Sequence, residues 1–281
     1  MIEPLPRPHE SAYAIYLGCI EGAREQLRLA PHAERVRDCA ERFAAAARLA
    51  ALHELDQQSF GPSEESERKL LADVYRNRIV GTSVPSPGRA LYEKLLNLVE
   101  VCPLCRVGRV RTIDHHLPKS LFPYLAVVPD NLIPACSDCN KTKGDTAPSR
   151  KDEQTLHPYF DDIGDQQWLA ARVIEKTPAV LEFHIEPPQG ADLLLSARVR
   201  RHFQVFDLAD LYRIQAAVEL NGCRSELMIV SDAGGASAVH DHLDLLASGR
   251  QRGHGPNSWQ AAAYRALAAS DWYCGGGFRL D

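Results

Sequence analysis

The 281-residue sequence contains no run of 18 apolar residues, roughly the length a helix needs to cross a bilayer. Its most apolar stretch, Phe43 to Leu52, is largely alanine and is interrupted by Arg48. The start, Met1-Ile2-Glu3-Pro4, lacks a basic segment followed by an apolar core, so it does not read as a secretory leader. A cytoplasmic protein with no membrane partner is expected. There is no internal repeat and no low-complexity tract. Positive charge is not in excess: 32 Lys and Arg stand against 37 Asp and Glu, a net charge of −5. That balance excludes a protein that coats nucleic acid by charge alone, so any such contact must be local or helped by a metal or a partner. Apolar residues at 45% and charged residues at 25% exclude a wholly disordered chain, a collagen and a disulfide miniature. At about 150 residues per domain, the length corresponds to two domains or one elaborated domain.

What is present is cysteine in a pattern. Of eight cysteines, at 19, 39, 102, 105, 136, 139, 223 and 274, four form two C-x-x-C pairs, Cys102/Cys105 and Cys136/Cys139. Disulfides are not expected in a reducing compartment. Two close thiolate pairs are the usual way to build a tetrahedral zinc site, whereas a redox C-x-x-C needs only one pair. Structural zinc contributes on the order of 10–16 kcal/mol of apparent binding free energy in small domains, enough to fold its own neighbourhood. Cys19 and Cys39 lie in helical apolar patterns and read as core; Cys223 and Cys274 read as packing.

The pattern predicts a helical front, a small zinc-centred middle and an α+β tail, an α+β chain divided as residues 1–100, 101–150 and 151–281. In the front, residues 11–57 read as two helices broken at Pro31, the second carrying Val36, Cys39, Phe43 and Ala47 on one stripe. Ser63 with Glu64 and Glu65 reads as a helix start, with the helix running to about Val80. Residues 82–88 read as a linker, and Arg89 to Glu100 as a short helix. In the tail, Ala179 to Ile185 alternates as a half-buried strand that can pair with Trp168 to Ile174. Asp207 is expected to cap a helix ending at Asn221-Gly222. A further helix is expected from Asn257/Ser258 to about Ala269.

Thirty residues separate Cys105 from Cys136, more than a simple zinc ribbon uses. Their content suggests a reason for the excess. Val110 to His116 can be a strand, Leu132 to Pro134 its short partner, and Cys136 to Lys143 a two-turn helix stopped by Gly144. Asp114 is a hard oxygen donor suited to Mg²⁺, and the Asn140 amide oxygen is another; two protein ligands leave room for water and phosphate. A neutral imidazole beside such an ion can take a proton from water near pH 7, and Asn131 could hold it in place. The set suits phosphodiester hydrolysis better than peptide hydrolysis, because no H-E-x-x-H is present and four sulfurs would leave zinc no open position. Strict strand alternation puts Asp114 and His116 on one face and His115 on the other.

These residues carry a resemblance. Cys102-x-x-Cys105, Asp114-His115, Asn131, Cys136-x-x-Cys139 and Asn140, in that order, resemble the HNH endonucleases, the ββα-metal group, in their zinc-stapled, endonuclease VII-like form. The resemblance covers residues 102–145. It implies a central ββα-metal nuclease motif with a structural zinc on Cys102, Cys105, Cys136 and Cys139. It implies that His115 rather than His116 is the general base, that Asp114 and Asn140 bind catalytic Mg²⁺ or Mn²⁺, and that Asn131 orients His115. It also implies cleavage leaving 5′-phosphate and 3′-hydroxyl ends. The flanks (Leu91-Tyr92-Glu93-Lys94 and Leu156-His157-Pro158-Tyr159-Phe160) look similar to stand-alone bacterial HNH proteins of mobile elements and phage defence.

The expected substrate is DNA, double-stranded by preference. Lys119, Lys141 and Lys143 are candidate phosphate contacts, although exposed lysine is more often solvated surface. The negative net charge leaves room for a protein partner such as an ATPase. Rival readings are a non-catalytic zinc adaptor on the same scaffold, and a nuclease that acts on RNA or only within a complex. His157, His240 and His242 read as packing or exposed helix rather than as further ligands.

Overall fold

The computed structural model describes residues 2–82 and 84–280; Met1, Ser83 and Asp281, the second of these within the expected 82–88 linker, lie outside the described residues. The chain is of the α+β class, with two antiparallel hairpins set among helices. It divides into one compact unit of residues 2–162 and another that begins at Ile163.

The first unit opens with helices α1 (Ala12–Ile20), α2 (Gln26–Leu29) and α3 (Ala33–Arg48). The expected break at Pro31 is not where the chain turns. Gly22, at φ +64°, makes the turn after α1, and Pro31 sits in a single 3-10 turn (Ala30–His32) that runs straight into α3. Proline is tolerated there because an N–H in a helix's first turn has no intrahelical partner. Helix α4 (Glu65–Tyr75) continues as a wider π turn over Arg76–Val80, so helical structure does reach Val80. Its cap position is Glu64, without a side-chain cap, and acidic Glu65 and Glu67 occupy the first turn, where carboxylates favour the helix dipole. Helix α5 (Pro87–Leu96) starts earlier than expected: Pro87 opens it and the Ser86 hydroxyl accepts from the Arg89 N–H.

The nuclease-like segment follows as β1 (Thr112–His115), β2 (Leu132–Ala135) and α6 (Ser137–Lys143). The strands pair antiparallel, Thr112 opposite Ala135 and His115 opposite Leu132. Gly144, at φ +63°, ends α6 as expected. One apolar cluster runs from Ile15, Phe43 and Leu71 through Ile113, Leu117, Phe122, Val128 and Leu132. The expected boundary at residue 100 therefore falls inside a shared core. Physically, so short a ββα segment cannot bury enough apolar surface alone; it takes its core from the helical front. Residues 151–162 also belong here rather than to the tail. Buried Gln154 accepts from the Leu52 N–H (2.8 Å) and donates to the Ala50 carbonyl (2.6 Å), and the Tyr159 hydroxyl donates to the Leu132 carbonyl (2.8 Å).

The second unit begins with the expected hairpin, β3 (Leu169–Ile174) and β4 (Val180–Ile185), whose inward residues Leu181 and Phe183 are buried. Helices α7 (Leu193–Val205), α8 (Leu208–His254) and α9 (Trp259–Ala268) complete it. Ser258 caps α9 as the sequence suggests. The expected stop of α8 at Asn221-Gly222 does not occur. The helix passes through and breaks at Gly234-Gly235 instead, where Gly235 has φ +65° and ψ −157°. Asp207, expected to cap α8, is itself left-handed at φ +48° and makes no side-chain cap hydrogen bond. The two arms fold back on each other, with His242 2.9 Å from Glu226 and Arg250 3.2 Å from Glu219. Among the described residues no helix is long and apolar enough to cross a membrane.

Candidate active site and sulfur cluster

The four paired cysteines come together. Their sulfurs all lie within 4.8 Å of one another and all four residues are buried. No disulfide joins any of the eight cysteines. The first pair sits on a tight knuckle: the Cys102 N–H donates to the Gly108 carbonyl (2.7 Å) and the Arg106 N–H to the Cys102 carbonyl (2.8 Å), with Arg106 at φ +60°. The second pair opens α6, where the Cys136 sulfur accepts from the Cys139 N–H at 3.4 Å. Gly108 is required by space, because a Cβ there would stand 2.7 Å from the Cys136 Cβ and 2.8 Å from its sulfur. Four converging sulfurs, two of them receiving backbone N–H bonds, are the donor set of a closed, structural zinc site. Among the described residues this is the cluster of three or more Cys, His, Asp or Glu that could hold an ion.

A separate cavity of about 310 Å³ lies at the C-terminal end of β1, lined by Thr112, Asp114, His115 and Asn140 together with Lys119 and Asp145. Asp114 and His115 both line it although they are neighbours in a strand. The strand ends at His115, which releases the alternation that would have put them on opposite faces. His116 is turned elsewhere, its ring 4.2 Å from that of His157.

His115 is held in one orientation. Its Nε2 lies 2.8 Å from the Ala126 carbonyl oxygen. A carbonyl only accepts, so Nε2 carries the proton and Nδ1 carries the lone pair. The edge of the ring meets Tyr75, centroids 4.4 Å apart at 77°, and the Tyr75 hydroxyl donates to the Ile113 carbonyl at 3.1 Å. Burial pushes the imidazole pKa down to about 3, so the ring is neutral across the physiological range. Burial likewise raises Asp114 to about 6, opposed by the ammonium of Lys143. Asn140 donates its amide N–H to Thr112 Oγ1 (3.4 Å), which leaves the amide oxygen for another partner. One hard carboxylate and one amide oxygen on one cavity are donors a divalent cation of the Mg²⁺ type accepts, with open positions for water and phosphate.

Two expected placements differ. Asn131 makes no hydrogen bond to the His115 ring. Its fully buried side chain accepts from the Leu117 N–H (2.7 Å) and donates to the carbonyls of Leu117 (3.0 Å) and Leu125 (3.2 Å). It pins both ends of the loop that carries Ala126, and so reaches His115 through the backbone. Lys143, expected to face a phosphate, turns inward, donating to the His115 carbonyl at 2.8 Å with its ammonium 3.3 Å from Asp114 Oδ2. Lys141 is exposed on α6, while Lys119 reaches the cavity with its ammonium 5.8 Å from the centre of the Tyr75 ring.

The front of the chain supplies further walls that no expectation above includes: Asp73, Tyr75, Arg76, Val80 and Tyr92 also line the cavity. No local motif marks them. Asp145 was within reach, since it follows the helix-ending Gly144 directly.

Comparison with known proteins fits this geometry. Residues 102–146 match the HNH endonuclease family, whose members are nuclease-type hydrolases acting on nucleic acid. "Protein ea31" of Escherichia phage lambda is 30% identical over 215 residues, covering 72% of this chain and 72% of the relative. No solved structure matches. The extent of that likeness exceeds the motif, and the chain belongs to the family of phage lambda protein ea31, with an HNH endonuclease domain at residues 102–146.

Proposed function

We propose that this protein is a metal-dependent endonuclease that hydrolyses phosphodiester bonds in DNA, double-stranded by preference. The observation that supports this best is the commitment of His115 Nε2 to the Ala126 carbonyl, which leaves Nδ1 with the lone pair in a residue that lines the cavity shared by Asp114 and Asn140. His115 Nδ1 takes the proton from the attacking water as the bond from phosphorus to the 3′ oxygen breaks, and the departing 3′ oxygen takes a proton from solvent, leaving 5′-phosphate and 3′-hydroxyl ends. Asp114 and Asn140 would hold Mg²⁺ or Mn²⁺, which supplies charge stabilisation to the phosphate and the leaving oxygen. Asn131 positions the base by fixing its acceptor loop. Zinc on Cys102, Cys105, Cys136 and Cys139 would be scaffolding, tying the knuckle before β1 to the start of α6 and so helping Asp114 and Asn140 to face one cavity.

The test is incubation of the zinc-loaded protein with supercoiled plasmid in Mn²⁺, in Mg²⁺ and in EDTA. Nicking that needs the divalent ion and is lost in His115→Ala supports the reading. Full zinc content without cleavage of DNA or RNA would instead support the non-catalytic adaptor. A setting in mobile-element biology or phage defence belongs to the same proposal, and a phage-encoded relative favours the mobile-element side. A protein partner such as an ATPase is the corresponding expectation for a chain of charge −5; cleavage that appears only when a co-encoded protein is added would support it.

A further inference from the structure

We infer that Lys143 is a resident counter-ion of the active site, one that neutralises Asp114 until a substrate phosphate arrives and thereby keeps the site's affinity for the divalent cation low in the absence of nucleic acid. The inference rests on the nuclease reading above.

A lysine that serves as a phosphate contact extends into solvent. The Lys143 side chain is only 8% exposed, as is that of Asp114, and its ammonium bridges the Asp114 carboxylate and the His115 carbonyl. It stands on the last turn of α6, one residue before the left-handed Gly144. The helix that offers Asn140 as a cation ligand therefore also offers a competing cation. The charge count around the cavity points the same way. Asp73, Asp114 and Asp145 line it with Arg76 and Lys119, and Lys143, outside that lining, is paired with Asp114. Three negative charges meet three positive ones, and Arg76 and Asp73 are already paired at 2.9 Å. His115 and Asn140 add no charge. A hard divalent ion binds where anionic oxygens outnumber cations, and here the balance tips only when a phosphodiester contributes its own negative oxygen. Loading of ion and substrate is thereby coupled, and the carboxylate is kept from binding adventitious cations.

The experiment uses the full-length, zinc-loaded protein and Mn²⁺ alone, followed by the loss of the free Mn²⁺ signal in electron paramagnetic resonance. Lys143→Met removes the charge at nearly constant length. Lys143→Gln removes the charge but keeps a donor for the His115 carbonyl, so it covers the case in which the methionine variant fails to fold. Both are expected to bind Mn²⁺ more tightly than wild type, on the order of tenfold, and the gain is expected to vanish when Asp114→Asn is added. Unchanged or weaker Mn²⁺ binding in the folded variants, judged by zinc content and circular dichroism, overturns the counter-ion role. If wild-type protein nicks plasmid in that case, the nuclease reading stands and only this inference falls. If no variant binds Mn²⁺ in an Asp114-dependent way and no nucleic acid is cut, both fall.

Discussion

His115 Nε2 lies 2.8 Å from the carbonyl oxygen of Ala126, eleven residues further along the chain. That bond sets the tautomer of the imidazole and joins the end of β1 to the middle of the long loop. Two adjacent histidines therefore have different fates, since His116 packs on the ring of His157.

The first expectation follows from this division. His115→Ala should abolish plasmid nicking, a loss of at least 10²-fold as for removal of a general base. His116→Ala should leave a folded protein with measurable nicking. The reverse pattern in the same assay would overturn the assignment of the base.

Asn131→Ala should act on both stability and cleavage. It strips three hydrogen bonds from buried backbone groups of Leu117 and Leu125, and each unsatisfied group costs roughly 1–3 kcal/mol. A loss of about 3 kcal/mol is expected in urea unfolding. Under conditions where the variant is folded, nicking should still fall, because the Ala126 carbonyl no longer has a fixed position. A variant that unfolds earlier but cuts normally when folded would show that the loop does not position the base.

Gly108→Ala tests the sulfur cluster without removing a sulfur. Its Cβ would press on Cys136 at under 3 Å, so the knuckle has to open. Zinc content measured by a chromophoric chelator is expected to fall below one ion per chain, with earlier thermal unfolding. Prolonged chelation of the wild type should reproduce that loss, and the nicking activity should go with it.

In the second unit, Gly235→Ala places a side chain at φ +65°, ψ −157°, a region essentially reserved for glycine, at a cost of about 1–3 kcal/mol. Gly222→Ala, at an ordinary helical position exposed to solvent, should instead stabilise α8 by up to about 1 kcal/mol. Paired thermal melts distinguish the two; similar shifts in both would mean the arms of α8 do not depend on that break.

The contrast between Gly222 and Gly235 also explains what the sequence made legible. Side chains that carry their chemistry in short spacings could be placed: the four cysteines, the β1–β2 pairing around Asp114, the end of α6 at Gly144, the β3–β4 hairpin. Glycine and proline punctuate a helix only by context: Asn221-Gly222 reads as a stop although the exposed glycine sits at an ordinary helical position, and Pro31 reads as a break although it lies in the first turn leading into α3. The walls of the candidate site are hidden for a different reason. Tyr75 and Arg76 lie some forty residues from Asp114 in a helix whose pattern speaks only of a buried stripe, and nothing local says which surface that stripe meets. Lys143 looked like any solvent-facing lysine until its distance to Asp114 was known.

The shared core also limits how far the motif can stand alone. The loop bearing Ala126 is tied to the front of the molecule through the Arg68 guanidinium on the Leu121 carbonyl (2.8 Å) and the Tyr124 N–H on the Phe60 carbonyl (3.0 Å). Residues 102–146 are therefore no portable cassette. Cut from the helices, the segment would keep its four cysteines yet leave the acceptor of the imidazole without these two anchors.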